Sequence, residues 1–174
     1  LTTWEDFYAL YTEASDVRNA MWLVGPQYNR DGSAIMDGTF HVTFTPEISF
    51  TNINGFDRGT DKASIAEGVR NIKYSPDATW TSSRDSRNDF VFFRYADVLL
   101  TKAEALLKGG VDNSANPQTA LELVNQIRTI RSVTPYATVD MNSLYEERGR
   151  EMAFEGWRRN DQIRFGKWED SKNK

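Results

Sequence analysis

The sequence contains no cysteine and a single histidine, His41. The absence of cysteine excludes disulfides, thiol chemistry and cysteine-based metal sites, and one histidine excludes any site that needs two imidazoles. No apolar run approaches the roughly 20 residues that a membrane-spanning helix requires. The first residue is Leu1 rather than a methionine, and the sequence shows no signal peptide. We therefore interpret the chain as a processed product or an excised fragment.

An excess of positive charge is also absent. The chain carries 21 lysines and arginines against 25 aspartates and glutamates, for a formal net charge of −4. This balance offers no general field that attracts nucleic acid, and we exclude that class of partner. The apolar fraction of 39% and the aromatic fraction of 13% indicate a globular protein whose aromatic residues fill a large core or stack on ligands.

Residues 1–89 are interrupted by many turn-forming residues, and we predict a loop-rich segment there. The helical spacing of Tyr8 and Tyr11 indicates a short helix near the N-terminus. Alternation of β-branched and aromatic residues at positions 39–44 predicts a short strand. We interpret His41, within this strand, as a structural histidine with a satisfied ring.

Residues 90–168 are predicted to be helical and to carry the family motifs described below. A wide apolar stripe at helical spacing covers residues 96–107 and stops at Gly109–Gly110. Asn116 followed by Pro117 predicts the start of a second helix. The two helices would form an antiparallel hairpin with a connection of about six residues.

A third helix is predicted over residues 141–154, with one more short turn before Trp168. The complete chain, residues 1–174, is therefore predicted as a single domain of the mainly α class. It would combine a tetratricopeptide-like helical hairpin and further helices with an irregular segment that contains short strands.

Charged residues on the predicted helices indicate a structural ion network. Three glutamates of the third helix recur at spacing i,i+4, which is unfavourable unless opposite charges lie nearby. Two arginines of the second helix are one turn apart and can supply those charges. The predicted network comprises Asp97, Glu104, Arg128, Arg131, Glu147, Glu151 and Glu155.

Paired carboxylates also suggest the acid and nucleophile of a glycoside hydrolase. A catalytic acid needs an apolar setting without a paired cation to raise its pKa. Because every carboxylate of the third helix has an arginine within reach, we favour the structural interpretation and predict no catalytic residues and no enzyme activity.

Three motifs, in order, resemble those of one known family. Residues 94–100 read RYADVLL and are followed by AEA at 103–105; residues 125–131 read NQIRTIR. The third motif lies within residues 147–166. It contains ER at 147–148 and FEG at 154–156, followed by Arg158 and Arg164. In these motifs the chain is similar to the SusD/RagB family of nutrient-binding outer-membrane lipoproteins, as a C-terminal fragment.

The resemblance implies a function without covalent chemistry and without a cofactor. The full-length protein would be lipid-anchored at the cell surface, on the outer membrane of Bacteroidetes-type bacteria, where it would capture oligosaccharides and deliver them to a SusC-like TonB-dependent transporter. Membrane association would come only from a lipid anchor absent from this chain. Two alternatives stay open, RagB-like peptide capture and a helical-repeat adaptor that binds proteins.

The ligand contacts are predicted in loops, because binding residues are concentrated on loops of rigid scaffolds. Sugars stack on aromatic rings, and amide, carboxylate or guanidinium groups bind their hydroxyls. Trp80 is the first candidate, because the surrounding loop at 75–89 is polar and offers no other evident reason for an indole side chain. The predicted ligand-binding residues are Trp80, Trp22, Tyr28, Asn29, Arg30 and Asp31. The segment 29–33 only weakly resembles a calcium loop, and we predict no metal site.

Overall fold

The computed structural model describes residues 2–3, 5–49, 61–75 and 88–169. It is mainly α with few short strands, which confirms the predicted fold class. The chain divides into two compact units, one formed by Leu1–Thr12 and Asn19–Arg87 and the other by Glu13–Arg18 and Asn88–Lys174. The predicted boundary between the loop-rich segment 1–89 and the helical part 90–168 lies close to the division at Arg87 and Asn88. A single domain over 1–174 stays a prediction.

Short elements make up the first unit. They are β1 (Thr2–Thr3), α1 (Glu5–Tyr8), β2 (Trp22–Leu23), β3 (Gly25–Pro26), β4 (Met36–Asp37), β5 (Phe40–His41), β6 (Thr43–Phe44), α2 (Lys62–Ala66) and β7 (Val69–Asn71). A 3-10 helix, Val17–Met21, precedes β2. Strand β7 lies between β1 and β2 in an antiparallel sheet, and Val69 in β7 is fully buried.

A three-segment ribbon occupies residues 25–44. Strand β3 pairs with β6, and β4 pairs with β5. Three backbone bonds complete the ladder: Gln27 N–H to Val42 O, Ile35 N–H to Gln27 O and Val42 N–H to Ile35 O, at 2.8, 2.9 and 2.9 Å. The strand predicted over 39–44 is therefore two strands, because its two halves pair with different partners.

The second unit contains four helices, α3 (Tyr95–Leu107), α4 (Ala120–Ile130), α5 (Met141–Glu151) and α6 (Arg158–Arg164). Helix α3 packs against both α4 and α5. The buried apolar core of this unit comprises Leu99, Leu100, Ala103, Ala120, Leu123, Val124, Ile127, Leu144 and Met152. Residues of the predicted apolar stripes thus supply the core, as the helical period requires. Within the described ranges, none of the helices has the length and apolar character needed to cross a membrane.

Helix α4 begins at Ala120, so the predicted start at Asn116–Pro117 is wrong. The N-cap is Thr119, whose hydroxyl accepts a hydrogen bond from the Glu122 N–H at 3.2 Å. The Glu122 carboxylate in turn accepts the Thr119 N–H at 2.7 Å. This reciprocal capping box satisfies two backbone donors, whereas an isolated Asn-Pro pair offers one cap.

The connection between α3 and α4 covers residues 108–119 and is longer than the six residues predicted. Asp112 organises it by accepting the backbone N–H groups of Ser114 at 3.0 Å and Gln118 at 2.8 Å. Lys102 binds the same carboxylate at 2.7 Å. The aspartate therefore folds the loop back onto α3 before the capping box starts α4.

Helix α5 ends at Glu151, three residues before the predicted end at Phe154. Phe154 and Gly156 adopt positive φ angles of 61° and 83°, and this left-handed conformation does not continue a right-handed helix. The chain then turns into α6, which corresponds to the short turn predicted before Trp168.

Thr119→Ala should lower the free energy of unfolding by about 1 kcal/mol, because it removes the side-chain half of the capping box. Asn116→Ala is the matched control and should change stability by less than about 0.5 kcal/mol. Urea denaturation followed by circular dichroism measures both. An equal loss in the two variants would contradict the assignment of Thr119 as the cap.

Candidate functional site

Glu147 in α5 is fully buried, with 0% of its surface exposed. Its carboxylate accepts hydrogen bonds from three guanidinium groups, those of Arg18 at 2.8 Å, Arg128 at 2.7 Å and Arg150 at 2.9 Å. Charge-assisted bonds of this kind are the strong class of hydrogen bond. They offset the large cost of taking a carboxylate out of water.

Glu151, one turn later in α5, has the same environment and is 1% exposed. Arg94 and Arg131 each lie 2.6 Å from its Oε1, and Arg18 lies 3.2 Å from its Oε2. Burial by itself raises the pKa of this carboxyl, but hydrogen bonds and charge from Arg131 and Arg94 outweigh burial and lower the pKa to about 2. Glu151 is therefore an ionised structural anion.

These two glutamates are the centre of what we call the arginine–glutamate cluster. Additional carboxylates bind its arginines: Asp16 binds Arg18 at 2.8 Å, Glu13 binds Arg128 at 3.0 Å, and Glu155 binds Arg94 at 2.7 Å. We define the cluster as Glu13, Asp16, Arg18, Arg94, Arg128, Arg131, Glu147, Arg150, Glu151 and Glu155. Five positive and five negative side chains balance one another.

Asp97 and Glu104, also predicted for the network, lie in a separate chain of ion pairs between α3, α5 and α6. Arg148 binds Asp97 at 2.6 Å and Asp161 at 2.9 Å. Arg164 binds Asp161 at 2.8 Å and also pairs with Glu104. The predicted residues therefore fall into two groups, one on each side of α5, because successive residues of a helix face different neighbours.

Glu151 and Glu104, one from each group, are unsuited to act as a general acid. A general acid in glycoside hydrolysis needs a raised pKa, whereas the arginines lower the pKa of Glu151 and of Glu104. The described part of the chain also contains no group of three or more histidine, aspartate or glutamate side chains that could hold a metal ion. The buried charges fit a structural role.

Tyr28, in the ribbon of the first unit, is an exposed aromatic side chain with 56% of its surface accessible. Its ring meets the His41 ring edge to face, with centroids 5.1 Å apart and an interplanar angle of 77°. His41 is fixed by a 2.9 Å hydrogen bond between its Nε2 and the Gln27 carbonyl, which confirms the prediction of a satisfied structural histidine. The Tyr28 ring therefore contacts His41 and is otherwise largely accessible to solvent.

The turn after Tyr28 holds the other predicted ligand residues. Asn29 Nδ2 donates to Ser33 Oγ at 3.0 Å, and Asp31 accepts the Ser33 hydroxyl at 2.6 Å and the Ser33 N–H at 2.9 Å. The two Ser33 bonds lower the pKa of Asp31. Within the described ranges, Arg30 and the side-chain oxygen of Asn29 have no hydrogen-bonding partner, so both can bind a ligand.

Trp22, also predicted to bind ligand, is not an exposed platform. Trp22 is 6% exposed and meets Phe7, Tyr8 and Tyr11 edge to face at centroid distances of 6.3, 5.8 and 5.3 Å. It is a core side chain of the first unit, because three rings cover it. Trp80 lies outside the described residues, so its ligand role stays a prediction.

Sequence reasoning missed a second exposed aromatic surface, which lies immediately before α3. The side chains of Phe90, Phe92, Phe93 and Tyr95 are 68–79% exposed. The sequence predicts a helical part that starts at residue 90 and includes these residues, whereas α3 begins at Tyr95. A signal was available, because the aromatic residues at 90, 92 and 93 do not follow the helical period of the stripe that starts at Ala96.

Comparison with known proteins gives a family match. The SusD family model matches residues 42–174. A stretch of 84 residues is 33% identical to the starch-binding protein SusD of Bacteroides thetaiotaomicron, covering 48% of this chain and 14% of that relative. The matched stretch is thus a small part of the relative's length. No solved structure gives a significant match.

Glu151→Gln should lower the free energy of unfolding by about 3–5 kcal/mol, because it removes a buried charge and leaves arginines without their partner. Glu146→Gln is a control on the same helix. Its side chain is 50% exposed and lies 3.8 Å from Arg150, so the loss should stay within about 1 kcal/mol. Chemical denaturation distinguishes the two, and similar losses would refute the structural assignment.

Acid should weaken the second unit through Glu151. Its pKa falls from 4.5 to about 2 on folding, so its contribution is complete above pH 4.5 and is lost as the pH falls toward 2. The loss amounts to about 3 kcal/mol. Unfolding free energies at pH 5 and pH 2 should therefore differ less in Glu151→Gln than in the natural sequence. An unchanged difference in the variant would contradict this pKa.

Proposed function

The chain belongs to the SusD family, and on that premise we propose that it takes part in the capture of extracellular oligosaccharides. The observation that carries the proposal is the accessible ring of Tyr28 beside polar groups of a tight turn. An aromatic face binds the apolar C–H surface of a pyranose, and neighbouring polar groups bind its hydroxyls. A similar relative is named as a starch-binding protein, which makes starch-derived oligosaccharides the first ligands to test.

Four residues form the site that we propose in the described part of the chain. Tyr28 supplies the platform, Asn29 accepts a sugar hydroxyl through its side-chain oxygen, and Arg30 donates to ring or hydroxyl oxygens. Asp31 holds Ser33 and fixes the shape of the turn. Trp80 is kept as a predicted second platform. Trp22 is left out because its ring is buried.

We further propose that capture involves no covalent chemistry. Arginines lower the pKa of Glu151 and keep it ionised, and both Glu147 and Glu151 are enclosed, so neither carboxylate can reach a sugar. Binding would therefore leave the oligosaccharide intact. No cofactor is needed for this function.

The partner and location that we propose follow from the family. The full-length protein would be lipid-anchored on the outer membrane at the cell surface and would pass its ligand to a SusC-like TonB-dependent transporter. A RagB-like peptide ligand is the alternative, since Tyr28 and Arg30 can also bind a peptide backbone. An adaptor built only from helical repeats is less well supported, because the first unit consists of short strands and loops.

Tyr28→Ala should weaken binding of a starch-derived oligosaccharide by about tenfold, because it removes the stacking surface. Isothermal titration of the chain with maltoheptaose, preceded by a glycan array, measures the change. Phe92→Ala removes another exposed ring, from the second unit, and is the control, with unchanged affinity expected.

Three outcomes would overturn parts of the proposal. Binding to an oligosaccharide that survives Tyr28→Ala without loss would place the sugar site elsewhere, with Trp80 the next residue to replace. Binding of peptides and of no glycan on the array would assign the chain to peptide capture. Released reducing sugar during incubation would contradict the absence of catalysis.

A further inference from the structure

The register of the ribbon at residues 25–44 places Tyr28 opposite His41. Strands β3 and β6 pair in an antiparallel register, and the Gln27 N–H continues this ladder by donating to Val42 O at 2.8 Å. The next residues along the ladder are Tyr28 and His41, whose ring centroids are 5.1 Å apart. Side chains that lie directly opposite each other on paired strands are the ones that interact across a sheet.

The strand pairing also places both side chains on one face of the ribbon. Tyr28 forms a bridge with Ala34, and His41 pairs with Met36 in β4. Because successive side chains alternate between the two faces of a strand, these four positions share a face, whereas Ile35 lies on the other. The contact between the two rings therefore follows from the strand register.

His41 is fixed by a contact that does not involve Tyr28. Its ring is half-buried, and its Nε2–H donates to the Gln27 carbonyl at 2.9 Å. Imidazole supplies both parts of this arrangement, an N–H donor for the carbonyl and a flat ring for the tyrosine. The histidine is therefore the supporting member of the pair, and the exposed tyrosine is the supported one.

Support of this kind affects how strongly an exposed ring can bind. A tyrosine side chain that moves freely loses its rotamer freedom when a ligand covers it, which weakens binding by about twofold to tenfold. A ring that is already held in the free protein avoids this loss. An edge-to-face contact covers at most one face of the Tyr28 ring, and 56% of the side chain is accessible.

We propose that His41 is a positioning residue, which holds the Tyr28 ring in the orientation that binds an oligosaccharide. The inference rests on the proposed capture of sugars at Tyr28 and adds a determinant of their affinity. His41 acts through Tyr28 and does not itself contact the sugar. Its ring contact is the feature that matters, so a phenylalanine at this position should replace it.

Nuclear magnetic resonance of the free chain tests the positioning without any ligand. The Hα–Hβ couplings of Tyr28 should report one rotamer in the natural sequence and averaging over several in His41→Ala. His41→Phe should restore one rotamer, because the ring contact remains and the Gln27 carbonyl keeps its bond from the Ile35 N–H at 2.9 Å. A single Tyr28 rotamer in His41→Ala, or averaging in the natural sequence, would overturn the proposal.

Titration with maltoheptaose measures the effect on binding. His41→Ala should weaken binding by about twofold to tenfold, whereas His41→Phe should stay within about twofold of the natural sequence. Ile35→Ala truncates a side chain on the opposite face of the ribbon and is the matched control, with unchanged affinity expected. Unchanged affinity in His41→Ala, or an equal loss in Ile35→Ala, contradicts the positioning role.

The single histidine of the chain provides a spectroscopic signature of the same contact. The C–H protons of the His41 ring are the only imidazole signals, and they should move when maltoheptaose covers Tyr28. Signals that stay in place while the sugar is bound would overturn the proposal. Absence of maltoheptaose binding would count against the proposed function alone, and the Tyr28 couplings would still decide the role of His41.

Discussion

Burial of Glu147 and Glu151 is the constraint on which the second unit depends. An enclosed carboxylate is tolerated only when strong hydrogen bonds replace its water, and each of these two is bound by three arginines. The arginines come from different parts of the chain, from residue 18 before the helices, from residue 94 ahead of α3, and from α4 and α5. Misplacement of one segment would take a partner away from a buried charge, so the cluster favours the observed arrangement of the helices.

The burial of Glu147 and Glu151 among arginines limits which side chains remain exposed for binding. The two buried carboxylates of α5, Glu147 and Glu151, are enclosed by arginines and are not accessible at the surface. Arg94, whose guanidinium binds Glu151, lies in the chain between two exposed rings, Phe93 and Tyr95. In the first unit Tyr28 is supported differently, by the ribbon ladder and the His41 ring.

The sequence was informative where one local pattern decides the structure. The apolar period locates α3, and the i,i+4 row of glutamates pointed to arginines on the neighbouring helix. Boundaries were less predictable: Asn116 and Thr119 are both good caps, and only the reciprocal bond with Glu122 favours the second. Exposure could not be read from residue type, since Trp22 is buried under three rings while Phe90 and Phe92 are accessible. Those differences arise from contacts between residues distant in sequence.

A double-mutant cycle on Arg128 and Glu147 tests the central claim most directly. Arg128→Met, Glu147→Leu and the combined variant are compared with the natural sequence by equilibrium denaturation. Each single change removes one partner from a buried charge and should cost about 3–5 kcal/mol, whereas the combined change should cost less than the sum by about 1–3 kcal/mol. Losses that simply add, or single losses below about 1 kcal/mol, would show that the cluster does not determine the fold of this unit.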